Sequence, residues 1–177
     1  MKVVLGSQIS DIVKGNLKEG NVRVINGNVL TGNKAALDDY LNAFANTVTA
    51  IPEGDDVNEF MGWIMPRFKE YSVNRTFFAW LANIFCPKKQ FSIDARIKGG
   101  ERHMIMSGEY DKVFPMDIYP EYLVKAIITG NIDKMEAYGI YEVAPEDFAL
   151  CEFVDSSKLE LQRIVREGLD NLRAEMA

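Results

Sequence analysis

The chain has 177 residues, enough for one ordinary domain or two small ones with a true core. Its 47% apolar and 26% charged content is that of a globular protein, not a disordered one. A formal charge of −6 and a pI near 4.9, with basic residues scattered and no basic run longer than Lys88-Lys89, exclude a nucleic-acid footprint, which needs clustered cations.

Membrane spans and leaders are not expected. The longest uncharged stretches, 40–52 and 76–87, fall well short of the roughly 20 apolar residues that a spanning helix needs. Lys2 is followed by Val3-Val4-Leu5, which reads as a strand rather than the apolar core of a signal peptide.

Taken in order, residues 1–50 mix short strands with one helix. Ser7 is a candidate cap for a helix over 8–14, with Ile9, Ile12 and Val13 on one face and Gly15 at its end. Residues 22–25 and 28–30 read as strand pieces around Asn26-Gly27, and Gly32-Asn33 as a further turn. The alternation at 47–51 predicts another strand. Residues 52–56 are a loop, 59–64 a strand ended near Pro66, and 75–85 a helix capped by Asn74. That helix carries Phe77, Phe78, Trp80, Leu81, Ile84 and Phe85 nearly all round, so it is expected to be buried or to face a partner.

Phe91, Ile93, Ala95 and Ile97 alternate with polar residues, and Gly99-Gly100 suits a two-residue hairpin turn. The expected register pairs Ala95 with Met104 and Ile93 with Met106, leaving Arg96 across from His103. From Pro120 the pattern is helical. Tyr122, Leu123, Ala126 and Ile127 form a stripe closed by Gly130, and 132–138 makes a short helix closed by Gly139. Pro145-Glu146-Asp147 starts a third helix, and Ser156 or Ser157 caps the last, whose buried side is Leu159, Ile164, Val165, Leu169 and Leu172.

Candidate chemistry is sparse. His103 as a base has only Arg96 as an orienting neighbour, and a cation there disfavours imidazolium, so an ordinary surface or strand histidine is the better reading. Cys86 sits at a helix end, where the dipole disfavours a thiolate. With Cys151 it makes no ligand spacing; a disulfide between them stays open, and two buried thiols fit better. One histidine and two separated cysteines do not build a zinc or iron site. Gly27, Gly32, Gly99 and Gly100 fit no dinucleotide or P-loop pattern. Glu53, Asp55, Asp56 and Glu59 lack the ligand order of a calcium loop and read as a solvated loop. Phe77, Phe78, Trp80 and Phe85 are read as core or subunit contact in preference to a quinone or flavin pocket. The residues alone reach an α+β protein with an interaction surface and no named reaction.

Several ordered blocks nevertheless resemble one family. These are Gly99-Gly100-Glu101-Arg102, the run from Gly108-Glu109-Tyr110-Asp111 through Pro115-Met116-Asp117-Ile118, and Pro145-Glu146-Asp147-Phe148-Ala149-Leu150-Cys151. Arg23-Val24-Ile25-Asn26-Gly27-Asn28-Val29-Leu30-Thr31-Gly32 and Phe60-Met61-Gly62-Trp63-Ile64 add two more. Together they resemble the A subunit of the sodium-translocating NADH:quinone reductases (NqrA), with Pro145 departing from an acidic position of the family pattern.

The resemblance implies a C-terminal fragment with a soluble-ligand-binding β-grasp (SLBB) unit over 1–52. A mixed α/β region with a hairpin over 53–118 and a helical domain over 119–177 complete the expected organisation. It also implies a peripheral subunit on the cytoplasmic side of a bacterial inner membrane, docked chiefly on the membrane-embedded B subunit. The complex so implied uses NADH, flavins, an iron–sulfur centre and ubiquinone. None of these cofactors is expected on this fragment, no catalytic residue carries over, and contact with quinone is possible. The related Rnf-type subunit is disfavoured because its CxxCxxC ligands are missing, and the S-x-A-T flavin motif is missing too. Phe77, Phe78 and Trp80 are the expected subunit contact. A stand-alone ligand-binding module is the rival reading, and an enzyme acting through His103 or Cys86 a third.

Overall fold

A computed structural model describes residue 4, residues 6–17, 19–55, 71, 73, 81, 84, 90, 91 and 93–177. The chain divides into two compact units, Met1–Arg96 and Ile97–Ala177. The mixed α+β class holds: the first unit carries a small sheet and the second is helical.

In the first unit, helix α1 (Ile9–Val13) packs Ile9 and Val13 against Val24, with Leu17, Ala35 and Val48 around them. Its free N–H groups are met by backbone: Ile9 donates to the Asp39 carbonyl (2.9 Å) and Ser10 to that of Leu37 (2.9 Å). Ser7 does not cap it; its hydroxyl donates to the Val4 carbonyl, and the cap position is Gln8. Strand β1 (Val22–Asn26) is central in a 3-stranded antiparallel sheet ordered β2-β1-β3, where β2 is Asn33–Lys34 and β3 is Val48–Pro52. The register sets Val24 opposite Ala50 and Asn26 opposite Val48. The strand expected at 28–30 is a turn instead. Asn28 Oδ1 accepts from the backbone of Leu30 and Thr31 (2.8 Å each), so its side chain takes over the bonding that a ladder would need. Val4 is exposed and outside any strand.

Phe77, Phe78, Trp80, Phe85 and Cys86 lie outside the described residues, as does the strand expected at 59–64. Of the helix expected at 75–85, Leu81 and Ile84 are described; both are helical, and Ile84 is exposed.

No hairpin forms at Gly99-Gly100. The described residues from 93 to 109 contain no strand, and the left-handed conformation falls on Lys98 (φ 50°), not on either glycine. The residues of 97–109 follow the second unit: Arg102 donates to the Ser157 carbonyl at 2.8 Å. The alternating pattern failed here because those N–H groups find their acceptors on a loop some fifty positions away rather than on a partner strand.

The second unit is built from a short 3₁₀ turn (Tyr110–Lys112), α2 (Pro120–Ile128), α3 (Ile132–Ala137), α4 (Ala149–Val154) and α5 (Leu161–Glu175), with further 3₁₀ turns at Ile140–Glu142 and Pro145–Phe148. Pro120 opens α2, Asn131 caps α3 by accepting from Lys134 N, and Gly130 and Gly139 leave their helices at positive φ (65° and 85°). On α5 the buried positions Leu161, Val165, Gly168 and Leu172 recur at helical spacing, with Ile164 and Leu169 partly covered. Its cap is Glu160, because Ser157 is turned inward. Tyr122, placed on the α2 stripe by sequence, is exposed; Val124 takes its place in the core.

Candidate functional site

Two places concentrate polar groups, one in each unit. In the second unit, three buried polar residues bind backbone rather than one another. Asp155 accepts from the N–H of Ser157 (3.0 Å) and of Leu159 (2.8 Å), which fixes the tight link between α4 and α5. Ser157 Oγ accepts from Ile105 N at 3.1 Å. Glu121, on the first turn of α2, accepts from Ser107 N (3.1 Å) and Gly108 N (2.6 Å). Residues 105–108 are therefore strapped down by side chains from α2 and from the link between α4 and α5. None of the three was singled out as functional in the sequence; Glu121 directly after Pro120 was the one signal that could have found it.

Under this strap lies Tyr110, fully buried. The Asp155 carboxylate is near enough to disfavour a phenolate, and burial disfavours it more, so the hydroxyl ionises well above the ordinary tyrosine range. Yet its oxygen makes no hydrogen bond of acceptable geometry. Cys151 is a free, buried thiol with Sγ 4.0 Å from the Tyr110 carbonyl. Burial, and then the charge of Asp111, push it up to about 12. This is an inert thiol, not a nucleophile. His103 is exposed, and no group of three or more His, Cys, Asp or Glu among the described residues is arranged to hold a metal. The arrangement positions backbone.

In the first unit a groove of about 350 Å³ runs along β1, lined by Leu17, Val22, Val24, Lys34 and Leu37, with Arg23 and Glu53 at its side. Arg23 forks onto Glu53, Nε at 3.0 Å and Nη2 at 2.5 Å. The guanidinium's hydrogen bonds hold the Glu53 carboxyl below its usual range and raise Arg23 in return. Gly54, at φ 92°, lies against Arg96, where an added Cβ would meet Nε at 2.7 Å. Asp94 holds that guanidinium at 2.5 Å. The groove has room for a small molecule, with Lys34, Arg23 and Glu53 as its charged groups.

Comparison with known proteins now bears on both units. The family described as "NQRA C-terminal domain" matches residues 1–36. Over 176 residues, 99% of the chain, the identity to the A subunit of Na(+)-translocating NADH-quinone reductase is 39% for the Pasteurella multocida protein and 38% for that of Haemophilus influenzae (strain PittGG). It is 36% for the protein of Yersinia pestis bv. Antiqua (strain Angola). The chain is homologous to part of NqrA. It spans 38% of the length of these NqrA relatives.

Three of the blocks that resemble NqrA have a clear place in the fold. Residues 108–118 and 145–151 meet in one core, with Cys151 against Tyr110 and the rings of Phe114 and Phe148 4.8 Å apart. Residues 23–32 are β1 and its turn.

Proposed function

We propose that the chain supplies architecture and contact surface to a sodium-translocating NADH:quinone reductase. In this reading it is the corresponding part of a peripheral subunit on the cytoplasmic face, seated chiefly on the membrane-embedded B subunit. There it supports electron transfer from NADH to ubiquinone with sodium export. The observation that carries the reading is similarity that covers 99% of the chain and so takes in both structural units. An iron–sulfur centre of the four-cysteine kind does not fit a chain with two cysteines, and the electron carriers, flavins included, are assigned to other subunits. This part is non-catalytic in its own right. No helix among the described residues is long and apolar enough to cross a membrane, which suits a peripheral place.

The test is genetic and biochemical. Affinity-tagged at its natural locus, the protein should co-purify with membrane subunits that oxidise NADH with quinone. Deleting the region coding for this chain should abolish sodium-stimulated quinone reduction by membranes, and a plasmid copy should restore it. Unchanged activity after deletion overturns the proposal. The β1 groove favours a second reading, a stand-alone small-ligand module. That reading requires saturable binding by the protein in cells lacking the membrane subunits.

A further inference from the structure

We infer that the uncharged end of the first unit's sheet, formed by the turns at 27–32 and 40–47, docks onto an uncharged apolar surface of a partner protein. The inference rests on the chain's working in a multisubunit complex, and it names the surface used.

Both turns leave the same end of β1. Gly27 N donates to the Thr47 carbonyl, Thr49 Oγ1 donates to the Gly27 carbonyl, and the Asn26 side chain holds both the Tyr40 carbonyl and the Asn42 N–H. They present Val29 (48% exposed), Leu30 (41%), Tyr40 (66%) and Phe44 (97%). Single exposed apolar residues are ordinary; four gathered at one end of a sheet mark an interaction surface. They are also held still. Asn28 accepts from two N–H groups of its own turn and donates to Thr31 Oγ1 (2.9 Å), and Ala45 N closes onto the Asn42 carbonyl (3.0 Å). The backbone of such turns loses little freedom on binding, and an exposed phenylalanine at a turn tip is the kind of anchor that dominates an interface.

Charge selects the occupant. Residues 26–33 and 40–52 contain no charged side chain, in a chain of which 26% is charged. A charged partner group buried here would lose its hydration with no counter-charge to meet it. An anionic bilayer is disfavoured by the same inventory. Surface-seated segments rely on several Lys and Arg beside their apolar residues, whereas these turns are flanked by a single cation, Lys34, against Asp38 and Asp39, and the chain is net negative. An uncharged apolar protein surface is what remains complementary.

The experiment places Phe44→Asp with Leu30→Asp in the full-length protein in its own cells, and measures how much of it stays with the purified reductase. Thermal melts of Phe44→Asp alone should be unchanged, since that side chain is 97% exposed. Retention of the double variant should fall about tenfold, while Phe44→Leu, which keeps an apolar anchor, should stay within about threefold of the unaltered protein. Retention of the single Phe44→Asp variant should fall in the same direction even if Leu30→Asp, at a residue 41% exposed, lowers the melt. Retention of the double variant at the unaltered level overturns the surface while leaving its parent reading intact. An unaltered protein that does not accompany the reductase overturns that reading. Cosedimentation with protein-free vesicles of phosphatidylethanolamine and phosphatidylglycerol, lost in the double variant, would assign the surface to lipid and overturn the inference. Self-association of the purified protein that Phe44→Asp abolishes would assign it to a second copy and do the same.

Discussion

Tyr110 and Asp155 lie close together in the second unit, and they make opposite predictions. The Tyr110 hydroxyl is buried without a hydrogen bond, so removing it takes away a desolvated group that nothing rewards. Tyr110→Phe should leave the unfolding free energy measured in urea within about 1 kcal/mol of that of the unaltered protein. Asp155→Ala strands the N–H groups of Ser157 and Leu159 and should cost about 3 kcal/mol. The pH dependence follows from the raised ionisations of Cys151 and Tyr110. Above about pH 9 the unfolded chain releases the thiol proton while the folded protein keeps it up to about 12, so the unfolded state binds fewer protons and stability falls as pH rises. Tyrosine adds to the decline above its ordinary value of 10.0. Melting profiles taken through that window should show a steeper loss for the unaltered protein than for Tyr110→Phe. Mass spectrometry after alkylation at about pH 8 should find Cys151 unmodified in the native protein and modified in denaturant.

Among the elements, α5 tests how tightly helices pack. Gly168 faces Ile127 of α2, and a Cβ built there would come within 2.8 Å of Ile127 Cγ2. Alanine gains about 1 kcal/mol in helix propensity, but overpacking costs about 1 to 3, so Gly168→Ala should be net destabilising by about 1 kcal/mol. Ile127→Val should recover part of that in the double variant, and non-additive urea midpoints would show it. Helix α5 was legible from its apolar spacing, which picked out Val165 and Leu172 of the core and Ile164 and Leu169 at its edge; Leu161 and Gly168 were missed, Gly168 because a glycine carries no apolar signal. The strands of the first unit, 22–26 and 48–52, were likewise readable from β-branched alternation. Residues 91–106 defeated the same rule. Their alternation resembles a hairpin, yet Ile93, Ile97 and Ile105 are exposed. The acceptors for Ile105, Ser107 and Gly108 are the side chains of Ser157 and Glu121, distant in sequence and invisible to local pattern. The polar joint was unreadable for that reason: a buried serine or glutamate has no periodic signature, and its partners are backbone amides that every residue owns.

At the scale of the whole molecule, the two units have unequal described cores. The second buries an extended set that includes Leu123, Val124, Ile140, Phe148, Leu161 and Val165. The described cluster around α1 rests on Ile9, Val13 and Val24. Opening free energy follows the apolar surface that an element must expose, at about 25 cal/mol per Å², so the amides of α1 should open far more readily than those of α2 and α5. Hydrogen exchange read by mass spectrometry should then give two plateaus, with α1 at least tenfold less protected than α5. Phe44→Asp should leave both unchanged in the isolated protein, because its side chain is 97% exposed and belongs to neither core. Joined to its partner, the protein should show slowed exchange at 27–32 and 40–47, because the bound surface cannot open without losing the docking energy as well. Slowing confined to the second unit would place the contact elsewhere, and uniform protection across α1 and α5 would mean that the two units open as one.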